Sequence, residues 1–381
     1  MRILMLLSNP FLPDYRPYLE AQSLIKAGHE VTLIGWDRQG KYPLMDEKDG
    51  IRIIRVRNTG IMKVLPYDIM RLFFMWDVMA SKAMEERYDV VHAHDLDTIP
   101  AGIKIKKKMG TPLIYDAHEI WPAMIERDIK YIVQWYFRRL DRKAMKVIDG
   151  LIIPEDEDYN LYYYPYFRNL GYRGPVGYVM NAKPLIYDRY EPPNNDVFTL
   201  IYIGVLTRPR FLVEAIEVVE SMEGVRFIIA GMGPMEKRIK ELCRKAKNTE
   251  FIGYLPMKEV IPMTRKADAV FCMIDPSDYN NRVALANKQF EAMAAGRPII
   301  TSRGTMSGRM TEDLGVGLVV EHTKEGLRKA LETLRDDSKL AQRLGKKAFE
   351  WAKKKYNWSV QKKHLLELYD TVMENFKRED G

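Results

Sequence analysis

Asn287-Lys288-Gln289-Phe290-Glu291-Ala292-Met293-Ala294-Ala295-Gly296-Arg297-Pro298 reads as a helix closed by a glycine, followed by a buried strand that starts at Pro298 and runs through Ile299, Ile300 and Thr301. A glycine just past a helical run is the usual stop, because only glycine enters the left-handed turn cheaply. Asn287, Lys288 and Glu291 lie three to four residues apart and share one helix face. A helix start offers free N–H groups to an anion. Lys288 adds charge-assisted bonds there, and Glu291 can accept from a sugar diol. The group suits a phosphorylated ligand. The competing reading is a solvated Lys–Glu surface pair, which is common at this spacing.

Working outward, the rest of the chain alternates strand and helix. Strands are expected at 2–8, 29–35, 51–57, 89–94, 112–118, 150–154 and 176–181. Helices are expected between them at 16–28, 68–86, 99–109, 123–147 and 159–170. The 51–57 stretch alternates apolar and basic residues and reads as half-exposed. Residues 183–196 hold Pro184, Pro192, Pro193, Asn194 and Asn195, the breaker chemistry of a domain boundary. The pattern then restarts. Strands fall at 199–204, 225–230, 250–255, 267–274, 298–302 and 316–321, and helices at 211–222, 236–247 and 257–266. Three helices close the chain, at 323–335, 337–354 and 358–377. Such alternation implies doubly wound parallel sheets, with ligands beyond the C-terminal ends of the strands. Two such domains in tandem would face a cleft.

At 381 residues, with 46% hydrophobic and 29% charged residues, the chain fits a two-domain soluble protein. No run approaches the ~18–20 apolar residues of a membrane span. Met1 to Leu7 reads as a first strand rather than a signal peptide, since no small-residue cleavage site follows. Cys243 and Cys272 provide neither a disulfide framework nor a metal-site spacing, so a reducing cytoplasm is the expected location. The net charge of +8 suits an anionic ligand or membrane. With no zinc-finger spacing and no RNA-binding aromatic signature, nucleic acid is not an expected partner.

Polar groups cluster at strand ends. His92, His94, Asp95 and Asp97 follow one strand, and Asp116, His118 and Glu119 another. His92 and His94 share a strand face and with a carboxylate would make metal ligands. The favoured reading is that they bond loop backbone or substrate, because no third ligand has a diagnostic spacing. His118 is the best single contact for a sugar hydroxyl. In the second half, Gly204-Val205-Leu206-Thr207-Arg208-Pro209-Arg210 follows a strand and opens a helix, so its N–H groups and two arginines suit a phosphate. Gly231-Met232-Gly233-Pro234 is a second such turn, without the third glycine of a dinucleotide fingerprint. Cations at helix starts suit a departing diphosphate, because fixed charge aimed at developing charge is usually the largest catalytic term.

These pieces together resemble the retaining, nucleotide-sugar-dependent glycosyltransferases of family 4, which have the GT-B fold. The likeness runs from Asn9-Pro10 and Asp14-Tyr15-Arg16, through 89–95 and 115–119, to Gly204–Arg210, 230–234, 251–254 and Phe290–Pro298, all in order. It implies two Rossmann-like domains facing a cleft: an acceptor-binding domain at 1–183 and a nucleotide-sugar-binding domain at 197–356. A closing helix in 357–381 would cross back to the first domain. By resemblance the catalytic groups are His118, facing the transferred sugar, and Arg210 and Lys288 at the diphosphate. Gly204, Arg208, Gly233, Tyr254, Asn287 and Glu291 would bind the donor, with Glu291 on the ribose. Tyr15, Arg16 and Asp95 would lie on the acceptor side. The implied reaction moves a hexose from a UDP- or GDP-sugar to a glycan, lipid-linked or small-molecule hydroxyl, with no metal and no cofactor beyond the co-substrate. A GT-B nucleotide-sugar epimerase, or a binding protein with little turnover, is the alternative.

The chain departs from the pattern at Val283, where the family has a glutamate eight positions before Glu291, and at Val205, where it has an arginine. Tyr15-Arg16 replaces the glycine pair of its first loop. Residues 130–139 and 69–76 mix aromatic and basic side chains, which would let the protein touch an anionic membrane from the cytoplasmic side. The competing reading of both stretches is aromatic core packing.

Overall fold

The structure, a computed structural model, describes residues 1–11, 15–124 and 131–380. The chain forms two compact units, 1–180 with 362–381, and 181–361.

The first unit is built on an eight-stranded sheet. Its strands are β1 (Arg2–Leu7), β2 (Glu30–Asp37), β3 (Met45–Lys48), β4 (Ile51–Arg57), β5 (Val90–His94), β6 (Leu113–Asp116), β7 (Gly150–Ile153) and β8 (Val176–Tyr178). The order is β3-β4-β2-β1-β5-β6-β7-β8, parallel except for β3 on β4. Strand order reverses between β1 and β5, so the strand ends there, with His94 and Asp95, are where such a sheet binds ligands.

One expectation changes. β4 is an interior strand rather than a half-exposed one, because β3 covers its edge. Arg55 is buried there and donates to the backbone oxygens of Pro10 and Pro43, with Asp46 as its ion partner. Of the helix expected at 123–147 the structure describes Trp121–Met124 and Tyr131–Ala144, and 125–130 lie outside the described residues.

The closing helix, Trp358–Asp380, belongs to this unit from Lys362 onward. It lies directly on β7 and β8. A Cβ on Gly150 would come 2.7 Å from Val372 Cγ2, and one on Gly177 would come 3.1 Å from Leu368 Cδ2. Two glycines on adjacent strands thus let the helix approach the sheet.

The second unit carries a wholly parallel six-stranded sheet: β9 (Phe198–Ile203), β10 (Val225–Ala230), β11 (Thr249–Gly253), β12 (Ala269–Cys272), β13 (Ile299–Ser302) and β14 (Gly317–Val320). The order β11-β10-β9-β12-β13-β14 reverses between β9 and β12. Both faces are packed by helices around cores that include Phe227, Phe271 and Leu331 on one side and Ile201, Val270 and Ala292 on the other.

Helix Asn287–Ala295 is buried from Lys288 to Ala295 and ends at Gly296, whose φ is 68°. The buried Arg297 locks the turn into β13 by donating to the backbone oxygens of Ala267, Glu191, Gly296 and Arg265. Helices Tyr279–Val283 and Met306–Leu314 were not expected. The second is capped by Thr305, whose hydroxyl accepts from the Gly308 N–H at 3.0 Å.

Candidate active site

In the second unit the reversal point brings together the turn after β9 and the first turn of helix Asn287–Ala295. A Cβ on Gly204 would lie 2.3 Å from Lys288 Nζ, so glycine at 204 is what lets this amine reach the turn. Lys288 is buried, with Nζ 4.3 Å from the centre of the Tyr202 ring. The buried Cys272 thiol at the end of β12 is pushed up by burial, against the charges of Lys288 and Arg210.

The two glycine turns pack on each other. A Cβ on Gly231 would meet the Gly204 carbonyl oxygen at 1.8 Å, and one on Gly233 the Leu206 oxygen at 2.5 Å. Arg208 and Arg210 occupy a short 3-10 turn, and neither guanidinium has a carboxylate partner among the described residues. The cap residue Ala286 has no side-chain oxygen for the first N–H groups of helix Asn287–Ala295.

Glu291 and Lys288 are both buried, so they are not a solvated surface pair. Lys183 joins them. Its Nζ donates to Asn287 Oδ1 at 2.9 Å and lies 3.7 Å from Glu291 Oε1. Burial lowers the Lys183 pKa, opposed by Glu291. Sequence reading placed Lys183 in the boundary segment. Its only early signal is a lysine beside Asn181, where the chain enters the second unit. Tyr254 follows Gly253 at the end of β11 and is about half-exposed. Val283 is buried and apolar, so nothing at that position can bond a sugar hydroxyl.

In the first unit the predicted acceptor-side residues fall into a tight buried cluster. Arg16, on helix Tyr15–Lys26, donates from Nε to Glu20 Oε1 at 2.9 Å and from Nη2 to Asp116 Oδ1. It is 7% exposed, so its charge is directed inward rather than at an incoming ligand. Tyr15 opens the same helix, half-buried, while Asp14 lies outside the described residues. His92 and His94 are fully buried and stacked, with ring centres 4.3 Å apart. They do not contact loop backbone through their rings. His92 Nδ1 meets the Tyr369 hydroxyl at 2.8 Å, and His94 Nδ1 lies 3.1 Å from Asp116 Oδ2.

His118 and Asp95 are the partly exposed members, at 19% and 29%. The Nε2 of His118 is 2.9 Å from Asp116 Oδ2, and its backbone N–H donates to Asp95 Oδ1 at 3.1 Å. Burial pulls the imidazole pKa down, but Asp116 and Asp95 outweigh it and hold it at about 10. His118 therefore favours its charged form at neutral pH. Burial also pushes Asp95 up to about 7. Asp95 has a φ of 60°, a strained setting for a non-glycine residue at a strand end.

Residues 18–157 match the model described as Glycosyltransferase Family 4, and residues 187–351 match Glycosyl transferases group 1. An uncharacterised glycosyltransferase of Methanocaldococcus jannaschii is 22% identical, over 94% of each chain. Sucrose-phosphate synthase of Thermosynechococcus elongatus superposes with a TM-score of 0.80 at 16% identity, covering 98% of this chain and all of that one. Anabaena HepE, solved with UDP-glucose, superposes at 0.71 with 13% identity, covering 97% of this chain and 99% of that one.

Two parallel-sheet units of this topology, with these neighbours, define the GT-B fold. The chain is a glycosyltransferase of the family 4 type.

Proposed function

We propose that this enzyme moves a hexose, with retention, from a UDP- or GDP-sugar to a hydroxyl acceptor. The observation that supports this most is Lys288 Nζ lying against Gly204, with Arg210 on the turn that follows it and no carboxylate partner to either cation among the described residues. A departing diphosphate supplies the missing negative charge. Arg208, Arg210, Lys288 and the free N–H groups of the two helix starts would stabilise it, so that this step needs no metal. Glu291, paired with Lys183, which Asn287 holds in place, would accept from the ribose hydroxyls. Gly233 and the backbone beside Tyr254 complete the donor contacts. An oxygen of the leaving diphosphate would take the acceptor proton on the same sugar face, and His118 and Asp95 would engage sugar hydroxyls. The complex of HepE with UDP-glucose favours a nucleotide sugar as donor.

Calorimetry with UDP and GDP separately tests the reading, and the intact fold is checked in parallel. One nucleotide is expected to bind. Binding of neither would end the proposal.

A lipid-linked acceptor is favoured by the surface of the first unit. Trp76 and Phe137 belong to the core, but Tyr67, Met70, Phe74, Tyr131 and Trp135 are exposed beside Arg71, Arg138 and Arg139. Among the described residues no helix is long and apolar enough to cross a membrane. We expect docking on anionic lipid instead. Flotation with anionic vesicles at low salt should carry the protein up. No flotation at low or high salt would remove this part of the reading.

A further inference from the structure

The buried cluster of the first unit holds more ligating groups than transfer of a sugar uses. Glu20 comes from helix Tyr15–Lys26, His92 and His94 from β5, and Asp116 from the end of β6. One donor atom from each lies within 4.8 Å of all the others. Four of the separations form a closed circuit. His92 Nε2 is 3.8 Å from Glu20 Oε2 and 3.7 Å from Asp116 Oδ2, while His94 Nδ1 is 3.9 Å from Glu20 Oε2 and 3.1 Å from Asp116 Oδ2. An ion with four nitrogen and oxygen ligands at about 2.0–2.1 Å holds them roughly 3.3–3.4 Å apart in a tetrahedron, so the circuit brackets the required edge.

Two of the four donor atoms, His94 Nδ1 and Asp116 Oδ2, bond each other and His118, and the other two are left open. Glu20 Oε2 and His92 Nε2 are buried with no hydrogen-bond partner. Such orphaned atoms are costly, and a native fold rarely keeps two pointing at one place. The outer atoms of the same side chains are occupied. Arg16 takes Glu20 Oε1 and Asp116 Oδ1, and the Tyr369 hydroxyl takes His92 Nδ1. Metal-binding carboxylates and imidazoles are typically oriented by partners on their far atoms in this way.

We propose that Glu20, His92, His94 and Asp116 bind one divalent transition-metal ion, zinc by its donor set, as a structural centre of the first unit. Two imidazoles and two carboxylates suit zinc better than magnesium or calcium, which take all-oxygen shells. All four ligands are at most 1% exposed, so the ion has no open position for substrate and is loaded as the chain folds. His118, 3.1 Å from His94 Nδ1, keeps its bond to Asp116 and stays outside the coordination sphere. The Lys–Arg cradle proposed for the diphosphate lies in the second unit and is a separate matter.

The test is elemental analysis by plasma mass spectrometry of the tag-free full chain, purified without chelator. About one zinc-class ion per chain is expected, retained on dialysis against EDTA and released when EDTA is added in denaturant. Refolding with Zn2+ should restore it and raise the thermal midpoint by several degrees over the chain refolded in EDTA. Refolding with Co2+ should produce the visible absorption of a tetrahedral site, a readout that needs no variant. His92→Ala combined with His94→Ala should lack the ion. Well under one ion per native chain, together with no effect of Zn2+ on refolding, would overturn the proposal. Full metal content in the double variant would overturn it as well.

Discussion

The two strand-order reversals carry charge in opposite ways. In the first unit the buried Arg16 is closed off by Glu20 and Asp116, and the half-buried His118 by Asp116 and Asp95. In the second unit Arg208, Arg210 and Lys288 gather at one turn with no carboxylate partner among the described residues. A buried charge that has its partner is part of the fold, and losing one side is expensive. A group of cations left without a partner at a ligand-binding strand end is a site waiting for an anion. Substitutions in the first unit should therefore register as stability, and those in the second as affinity.

The sharpest break is Arg16→Ala, which leaves Glu20 and Asp116 facing each other in the interior. We expect a loss of roughly 3–5 kcal/mol in denaturant unfolding. A loss under about 1 kcal/mol would mean that the cluster is not balanced by Arg16.

Asp141 is a control within the same unit, a buried carboxylate with no cation. Tyr166 donates its hydroxyl to Oδ2 at 2.6 Å, and burial pushes the group up to about 7 against a usual 3.8. The folded state thus holds the proton more tightly than the unfolded one. Its contribution to stability is full below about pH 4, falls as pH rises, and is gone above about 7. Asp141→Asn should flatten that slope and gain about 2–4 kcal/mol at pH 8. Parallel stability–pH curves for the two proteins would contradict this.

In the second unit, Glu291→Ala should weaken nucleotide binding by roughly 1–3 kcal/mol, the cost of losing hydrogen bonds to a desolvated diol. Calorimetry decides, and unchanged affinity would contradict the assignment. The smallest effect belongs to Tyr369→Phe, which strips His92 of its hydroxyl partner. About 1 kcal/mol of stability should go, with nucleotide affinity untouched.

What was legible beforehand follows the range of the physical signal. Gly296 and the helix before it are local, and their reading held. So did most strands, because runs such as Ile3–Leu7 and Ile299–Thr301 are apolar on both faces, as buried parallel strands must be. β3 escaped because Met45-Asp46-Glu47-Lys48 is an exposed, charged edge strand with no apolar face. Its absence made β4 look half-exposed. Helix Met306–Leu314 escaped because Gly304 and Gly308 sit at its start. The two polar clusters were half visible. His92, His94, Asp116, Lys288 and Glu291 stand out by type, but Glu20 reaches His94 from 74 residues away and Lys183 reaches Glu291 from 108, distances no spacing rule covers.

The central claim is that the unpaired cations of the second unit are reserved for a diphosphate. Calorimetric titration of UDP and GDP into the wild type and the double variant Arg210→Ala, Lys288→Ala, with thermal midpoints recorded beside it, tests this most directly. The account predicts nucleotide affinity lower by at least about tenfold, the value of one or more charge-assisted bonds, with the midpoint nearly unchanged. Undiminished affinity in a folded double variant would contradict it.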